Sequence, residues 1–205
     1  MKKVLLTGFE PFLIYDYNPS GELAKKFDGK KIGNATIIGK VLPVKHRESA
    51  LLLQKYVKKE KPDVLISLGM SNQRGSIALE RVALNRYYFT SDEKEIDIPL
   101  YDNGKEAYFS TLPLQEIKTA LIKEDIPAEY SFWPDTFVSN EIFYEAMKLA
   151  NEIGIHKAGF IHVPVEHKQV AHARKLHYAT RLAAPSMSAE TLEKSTSIII
   201  KEAAK

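Results

Sequence analysis

Short apolar runs, each stopped by glycine or proline and followed by an amphipathic stretch, recur along this chain and constrain its fold more than any other feature. Lys3–Thr7 (KVLLT) ends at Gly8, and Thr36–Leu42 closes at Pro43. Asp63–Leu68 (DVLISL) ends at Gly69, and Ala158–Val163 (AGFIHV) stops at Pro164. Runs of this length without a polar face suit strands buried on both sides. Helical patterns separate them. Pro19 opens a helix through about Phe27, and Glu48–Lys59 sets Ala50, Leu51, Leu53 and Val57 at helical spacing. Further helices are predicted over Leu114–Lys123 and Ser139–Ile153, and Ser186–Ser188 caps a last one to about Ala203. Ile77–Asn85 and Ala128–Phe132 read as strands, residues 87–110 as polar and irregular, and Val165–Ala184 as loop with some helix. Strands joined through helices predict an α/β sandwich with a mostly parallel sheet. No repeat or linker interrupts the pattern, so residues 1–205 are expected to form a single domain.

Composition narrows the function classes. A chain of 205 residues, 44% of them hydrophobic and 27% charged, supports one well-buried core and not two. The formal net charge of +3 is mild, and the lysines are spread along the chain, which argues against a nucleic-acid partner. Cysteine is absent, so disulfides, thiolate metal sites and a thiol nucleophile are excluded. The apolar run in MKKVLLTGF is too short for a signal peptide or a membrane span, and a cytoplasmic protein without a membrane partner is expected.

Sheets of this kind place their sites beyond the carboxyl ends of the strands. Polar residues gather there at Gly8–Phe12, at Gly69–Arg74 (which includes Met70) and at His162, read as the end of its strand. Glu80 sits in a strand with apolar neighbours. A lone buried carboxylate is costly, so it needs a partner: a histidine, whose charged form it would stabilise, or Arg74 or Arg81. Ser139 reads either as a helix cap or as a nucleophile at the positive end of a helix dipole. Glu80, Ser139 and His162 together make the acid, nucleophile and base of a hydrolase.

Five stretches carry a resemblance. LLTGFEPF (Leu5–Phe12) with NPS (Asn18–Ser20), LERVALN (Leu79–Asn85), AYFSTLP (Ala107–Pro113), GFIHVP (Gly159–Pro164) and PSMS (Pro185–Ser188) are similar, in order, to the type I pyroglutamyl peptidase family, also called pyrrolidone-carboxylate peptidases. The resemblance implies a three-layer α/β/α sandwich like that of nucleoside phosphorylases. It also implies removal of an N-terminal pyroglutamyl residue from peptides by a Glu–Cys–His triad without metal or cofactor, in cytoplasmic homo-oligomers (dimers or tetramers). The family glutamate falls on Glu80 and the histidine on His162. The nucleophile falls on Ser139, where the family has cysteine followed by the asparagine matched by Asn140. Phe9 and Phe12 match the aromatic pair that sandwiches the pyroglutamyl ring, Arg74 matches a family arginine, and Met70 lies in the same expected substrate site.

The departures from that pattern concentrate around the expected site. Trp133, Pro134 and Asp135 replace the usual Ser-Ala-Gly, Leu13 and Ile14 replace a glycine pair, Thr90 replaces an arginine, and Tyr101–Lys105 replaces a loop with proline and glycine. Serine at the nucleophile position predicts weak or absent pyroglutamyl hydrolysis, because a hydroxyl is far less acidic than a thiol of pKa ~8.5. Two other readings stand beside a peptidase. One is a non-catalytic relative used for binding or assembly. The other is a nucleoside- or phosphate-handling protein, for which only Arg74 and scattered lysines speak.

Overall fold

The apolar runs become neighbouring strands of one sheet. The structure, a computed structural model, describes residues 1–12, 15–90, 94–175 and 184–205. In chain order its elements are β1 (Lys2–Phe9), α1 (Pro19–Phe27), β2 (Lys31–Ile32), β3 (Ala35–Leu42), α2 (Glu48–Glu60), β4 (Val64–Ser71), β5 (Ile77–Glu80) and β6 (Val82–Leu84). Then follow β7 (Tyr87–Thr90), β8 (Glu95–Ile98), β9 (Ala107–Phe109), α3 (Leu114–Lys123), β10 (Ala128–Ser131), α4 (Val138–Ile153), β11 (Lys157–Glu166), α5 (His167–Lys175), β12 (Ser186–Met187) and α6 (Ala189–Ala203). The main sheet runs β10-β5-β11-β4-β1-β3-β2, with β12 paired to β11. Its pairs are parallel except β5 with β11 and β2 with β3.

Alternation along β1 shows how the layers arise. Val4 and Leu6 pack with Leu23 and Phe27 of α1, Ile117 and Leu121 of α3, and Leu192 and Ile199 of α6. Leu5 points the other way, among Leu53 and Val57 of α2 and Ile142, Phe143 and Tyr144 of α4. Helices therefore cover both faces of a mostly parallel sheet, as the sequence pattern predicts. Each fully buried Leu, Ile or Phe adds about 1.5–3 kcal/mol. Helix α1 lies unusually close to the sheet. A Cβ at Gly8 would stand 2.0 Å from the Ser20 carbonyl oxygen, so only glycine fits there. Asn18 caps the same helix by accepting from the Ser20 amide at 3.1 Å.

Several expectations need correction. Ile77–Asn85 is not one strand: it breaks at Arg81, whose amide donates to Ser131 O at 2.7 Å while its carbonyl accepts from Ser110 N at 3.0 Å. Beyond the break, β6 leaves the main sheet and pairs with β9. Residues 87–110 are not irregular throughout, since β7 and β8 pair antiparallel as a two-stranded sheet. Their apolar side chains lie largely at the surface, so no buried run marks them. The strand holding His162 does not stop at Pro164. It runs to Glu166, because Pro164 falls between the end of the β5 pairing at His162 and the start of the β12 pairing at Val165, where a missing N–H costs little. In the Ser186–Ser188 segment only Ser188 caps α6, accepting from Thr191 N at 3.0 Å; Ser186 and Met187 form β12. Over Val165–Ala184, where loop with some helix is expected, the helix is α5; the later part of this segment lies outside the described residues, as do Leu13 and Ile14. Among the described residues no helix is long and apolar enough to cross a membrane.

Candidate active site

Two adjacent strands bring the acid and the base together. His162 lies within β11 rather than at its end, and Glu80 closes the neighbouring antiparallel strand β5. His162 Nδ1 stands 2.8 Å from Glu80 Oε1, with the two residues 4% and 0% exposed. A carboxylate only accepts, so the imidazole carries its proton on Nδ1 and leaves Nε2 free to act as a base. The pair is held from behind. A Cβ at Gly69 would stand 2.6 Å from the Phe160 ring and 3.1 Å from His162 Cδ2, so the glycine lets both rings settle on β4. Phe160 meets His162 edge-on at 4.9 Å.

Arg74 backs the carboxylate. Its Nη2 lies 3.5 Å from Glu80 Oε1 and donates to Ser131 Oγ at 2.8 Å and to Trp133 O at 3.1 Å. Its Nη1 reaches Glu129 at 3.4 Å. With these partners Arg74 is occupied within the protein, which weakens the phosphate-handling reading. Arg81 is not the partner of Glu80: its guanidinium lies over the rings of Tyr130 and Phe132.

Ser139 arrives from the opposite layer. The cap of α4 is Phe137, with no side-chain cap bond, and Ser139 is the second helical residue. The capping role is therefore not the one Ser139 plays. Asn140, fully buried, fixes the helix start: its Oδ1 accepts from Leu84 N at 2.8 Å, and its Nδ2 donates to Leu84 O at 2.9 Å and Arg86 O at 2.8 Å. The first amides of any helix lack internal acceptors, so Val138, Ser139 and Asn140 point N–H groups outward there.

Two adjoining cavities flank these groups. A pocket of about 90 Å³ is lined by Phe9, Phe12, Met70, Asp135, Phe137 and Ser139 among others. A cleft of about 900 Å³ is lined by Phe12, Met70, Arg74, Trp133, Asp135 and His162 among others. Phe12, Met70 and Asp135 belong to both walls. Every residue assigned to the site on sequence thus lies in this one region, although Ser139 and His162 make no direct hydrogen bond. Trp133 is 59% exposed at the cleft and leaves the small pocket open. Thr90 sits in β7 and lines neither cavity, and Tyr101 pairs with Asn85 through its backbone N–H and C=O.

Sequence reasoning missed two residues of this region. On sequence Asn140 is only a family match, and its role depends on β6, which the sequence does not reveal as a separate strand. Asp135 is, on sequence, only a departure from the family pattern. It takes φ 66°, a left-handed conformation that favours glycine and that aspartate tolerates. Its Oδ1 accepts from Phe137 N at 2.7 Å. The residue keeps surface at the cavities, yet enough protein surrounds the carboxyl that desolvation pushes its pKa up. The Phe137 amide and the nearby His162 and Arg74 pull it back, and Glu80 adds to the rise.

The comparisons agree with one another. The sequence pattern of pyroglutamyl peptidases matches residues 2–205. The pyrrolidone-carboxylate peptidase of Halalkalibacterium halodurans is 36% identical over 204 residues, which cover 97% of this chain and 98% of that one. That of Thermococcus litoralis is 38% identical over 175 residues, 83% of this chain and 80% of the other. Among solved structures, a mutant pyrrolidone carboxyl peptidase from Pyrococcus furiosus superposes with a TM-score of 0.91 at 36% identity, covering 98% of each chain. The T. litoralis structure gives a TM-score of 0.91 at 34% identity, covering 100% of this chain and 94% of its own. With the family pattern matched over residues 2–205 and full-length similarity to its members in sequence and structure, this chain belongs to the pyroglutamyl peptidase family.

Proposed function

We propose that this chain is a peptidase of the pyroglutamyl type that uses Ser139 as nucleophile, His162 as general base and acid, and Glu80 to orient the histidine. The observation that carries this reading is the buried Glu80–His162 contact of 2.8 Å beside a one-ring pocket with Ser139 in its wall. Ser139 Oγ attacks the carbonyl carbon that joins the N-terminal residue to the peptide, and its proton passes to His162 Nε2. The oxyanion forms against the free amides at the start of α4, where the helix dipole favours negative charge. His162 returns the proton to the departing amine, and the C–N bond breaks. Water then hydrolyses the ester, with His162 taking and returning one proton. In the bound state the N-terminal ring occupies the small pocket between Phe9 and Phe12, and the peptide runs along the cleft past Trp133.

Serine makes this chemistry slow. A thiolate forms readily beside an imidazole, whereas a hydroxyl must lose its proton during attack, in a site arranged for sulfur. The deciding experiment is hydrolysis of a fluorogenic pyroglutamyl amide by the unaltered chain and by Ser139→Cys. The expected outcome is weak or no turnover by the first and a gain of about 10²-fold or more in the second, abolished by His162→Ala. A silent Ser139→Cys would overturn the reading for pyroglutamyl substrates. The absence of a hydrogen bond between Ser139 and His162 favours one alternative, a non-catalytic relative that binds a peptide end. In our reading the enzyme works without metal or cofactor, as a cytoplasmic homo-oligomer. The cysteine-free composition, the family resemblance and the exposed aromatic side chains of β7 support that assignment.

A further inference from the structure

The small pocket has room for one ring and little with which to read it. Its volume of about 90 Å³, against roughly 150 Å³ for a cavity that holds benzene, limits the occupant to a single small ring. Most of the wall is apolar. Asn18 also lines it, and most of its carboxamide is engaged: Oδ1 accepts from Ser20 N at 3.1 Å and Ser20 Oγ at 2.8 Å, and one of the two Nδ2 hydrogens goes to Glu10 O at 2.9 Å. Beside the Ser139 hydroxyl and the second Nδ2 hydrogen of Asn18, Asp135 is the lining side chain that can recognise a polar ring through a charge. The family resemblance puts glycine at this position, and the left-handed backbone here is the conformation glycine favours. A carboxylate therefore stands where a relative with glycine has bare backbone. Asp135 accepts one hydrogen bond, from Phe137 N at 2.7 Å, and forms no ion pair with a described residue. The nearby guanidinium of Arg74 is engaged with Glu80, Glu129, Ser131 and Trp133.

We propose that Asp135 makes this pocket select a positively charged ring, so that it takes an N-terminal cyclic secondary amine, a prolyl residue, ahead of the neutral pyroglutamyl lactam. This rests on the peptidase reading of the same cleft. The two rings are nearly the same size, and their hydrogen-bonding edges differ. A protonated prolyl nitrogen offers two N–H donors and a charge, and the ring carries no carbonyl. The lactam offers one N–H and one carbonyl, and a carbonyl set against a carboxylate has no donor to meet. Asp135 is exposed, yet the protein around its carboxyl already disfavours the ionised form. A cation entering the pocket offsets that cost, and a neutral ring does not. Apolar walls around a single countercharge discriminate chiefly by leaving the wrong ligand's polar atom unpaired.

Binding tests this independently of turnover. L-prolinamide, protonated at pH 7, and neutral L-pyroglutamamide would be titrated calorimetrically into the unaltered chain, Asp135→Asn and Asp135→Gly. Asparagine tolerates the left-handed turn and can keep the bond from Phe137, so it serves as the folded control. The expected result is a preference of at least tenfold for prolinamide in the unaltered chain, lost in Asp135→Asn and inverted in Asp135→Gly. An equal ratio in all three forms, or a preference of the unaltered chain for pyroglutamamide, would overturn the proposal. A parallel assay of Ser139→Cys on prolyl and pyroglutamyl fluorogenic amides separates the two levels. Preferential cleavage of the pyroglutamyl amide with Asp135 in place sinks the specificity and leaves the peptidase reading standing. Binding of neither amide to any form removes both.

Discussion

At the scale of single residues, Glu80 and Asp135 are two carboxyl groups near one imidazole in different surroundings. Glu80 is fully buried, with Oε1 on His162 and Oε2 without a hydrogen-bond partner. Its Oε1 faces the histidine at 2.8 Å and Arg74 at 3.5 Å, and a glutamine would lack its charge. In the Ser139→Cys background, Glu80→Gln is expected to lower kcat by about 10³-fold with little change in KM, because the imidazolium formed during attack loses its counter-charge. Unchanged kcat would show that Glu80 only fills space. For Asp135 the sign runs through stability. Its folded-state pKa is raised above the ordinary 3.8, chiefly by desolvation, so folding favours the protonated form. That contribution is fully present below the unfolded-state pKa and is lost as pH rises through the folded one. Asp135→Asn is therefore expected to raise Tm slightly at pH 7 and to bring no gain near pH 3. A thermal scan in which the variant is less stable at pH 7 would contradict this.

At the scale of elements, the start of α4 depends on a strand far away in sequence. Phe137 contributes no capping side chain, and Asn140 ties the first turn to β6 and Arg86 by three hydrogen bonds instead. Asn140→Ala would leave the amide and carbonyl of Leu84 short of partners in a partly buried setting. The expected cost is about 3 kcal/mol, read as a lower midpoint in urea, with catalytic gain in the Ser139→Cys form falling alongside. A midpoint within error of the unaltered chain would mean that β6 holds its place without the asparagine. The helix itself was legible, since Phe143, Met147 and Ala150 follow at helical spacing. Its anchoring was not, because Ile77–Asn85 carries a continuous strand pattern and the break at Arg81 comes from bonds to Ser131 and Ser110, remote in sequence.

At the scale of the whole molecule, the β7–β8 pair is the part of the surface that most invites a neighbour. Tyr88, Phe89 and Ile98 are 39%, 37% and 37% exposed, an apolar grouping that a solitary soluble chain has little reason to display. Phe89 packs on Phe137 at 5.7 Å, so a partner seated on this pair would also brace the residue that caps α4. Light scattering at micromolar concentration is expected to give a dimer or tetramer, and Tyr88→Lys combined with Ile98→Lys a monomer. A monomeric unaltered chain would count against assembly through this surface.

The sequence by itself determined the layered α/β architecture, the parallel centre of the sheet and the identity of Glu80, His162 and Ser139 as the residues to watch. Those features rest on local periodicity and on residue types that are costly to bury or place without a reason. Only the tertiary structure decided that Glu80 meets His162 rather than Arg81, that Ser139 is free of capping, and that Asp135 forms part of the pocket wall. Each depends on which strands become neighbours and on a backbone angle, and non-local pairing leaves no trace in the local pattern of apolar and polar residues.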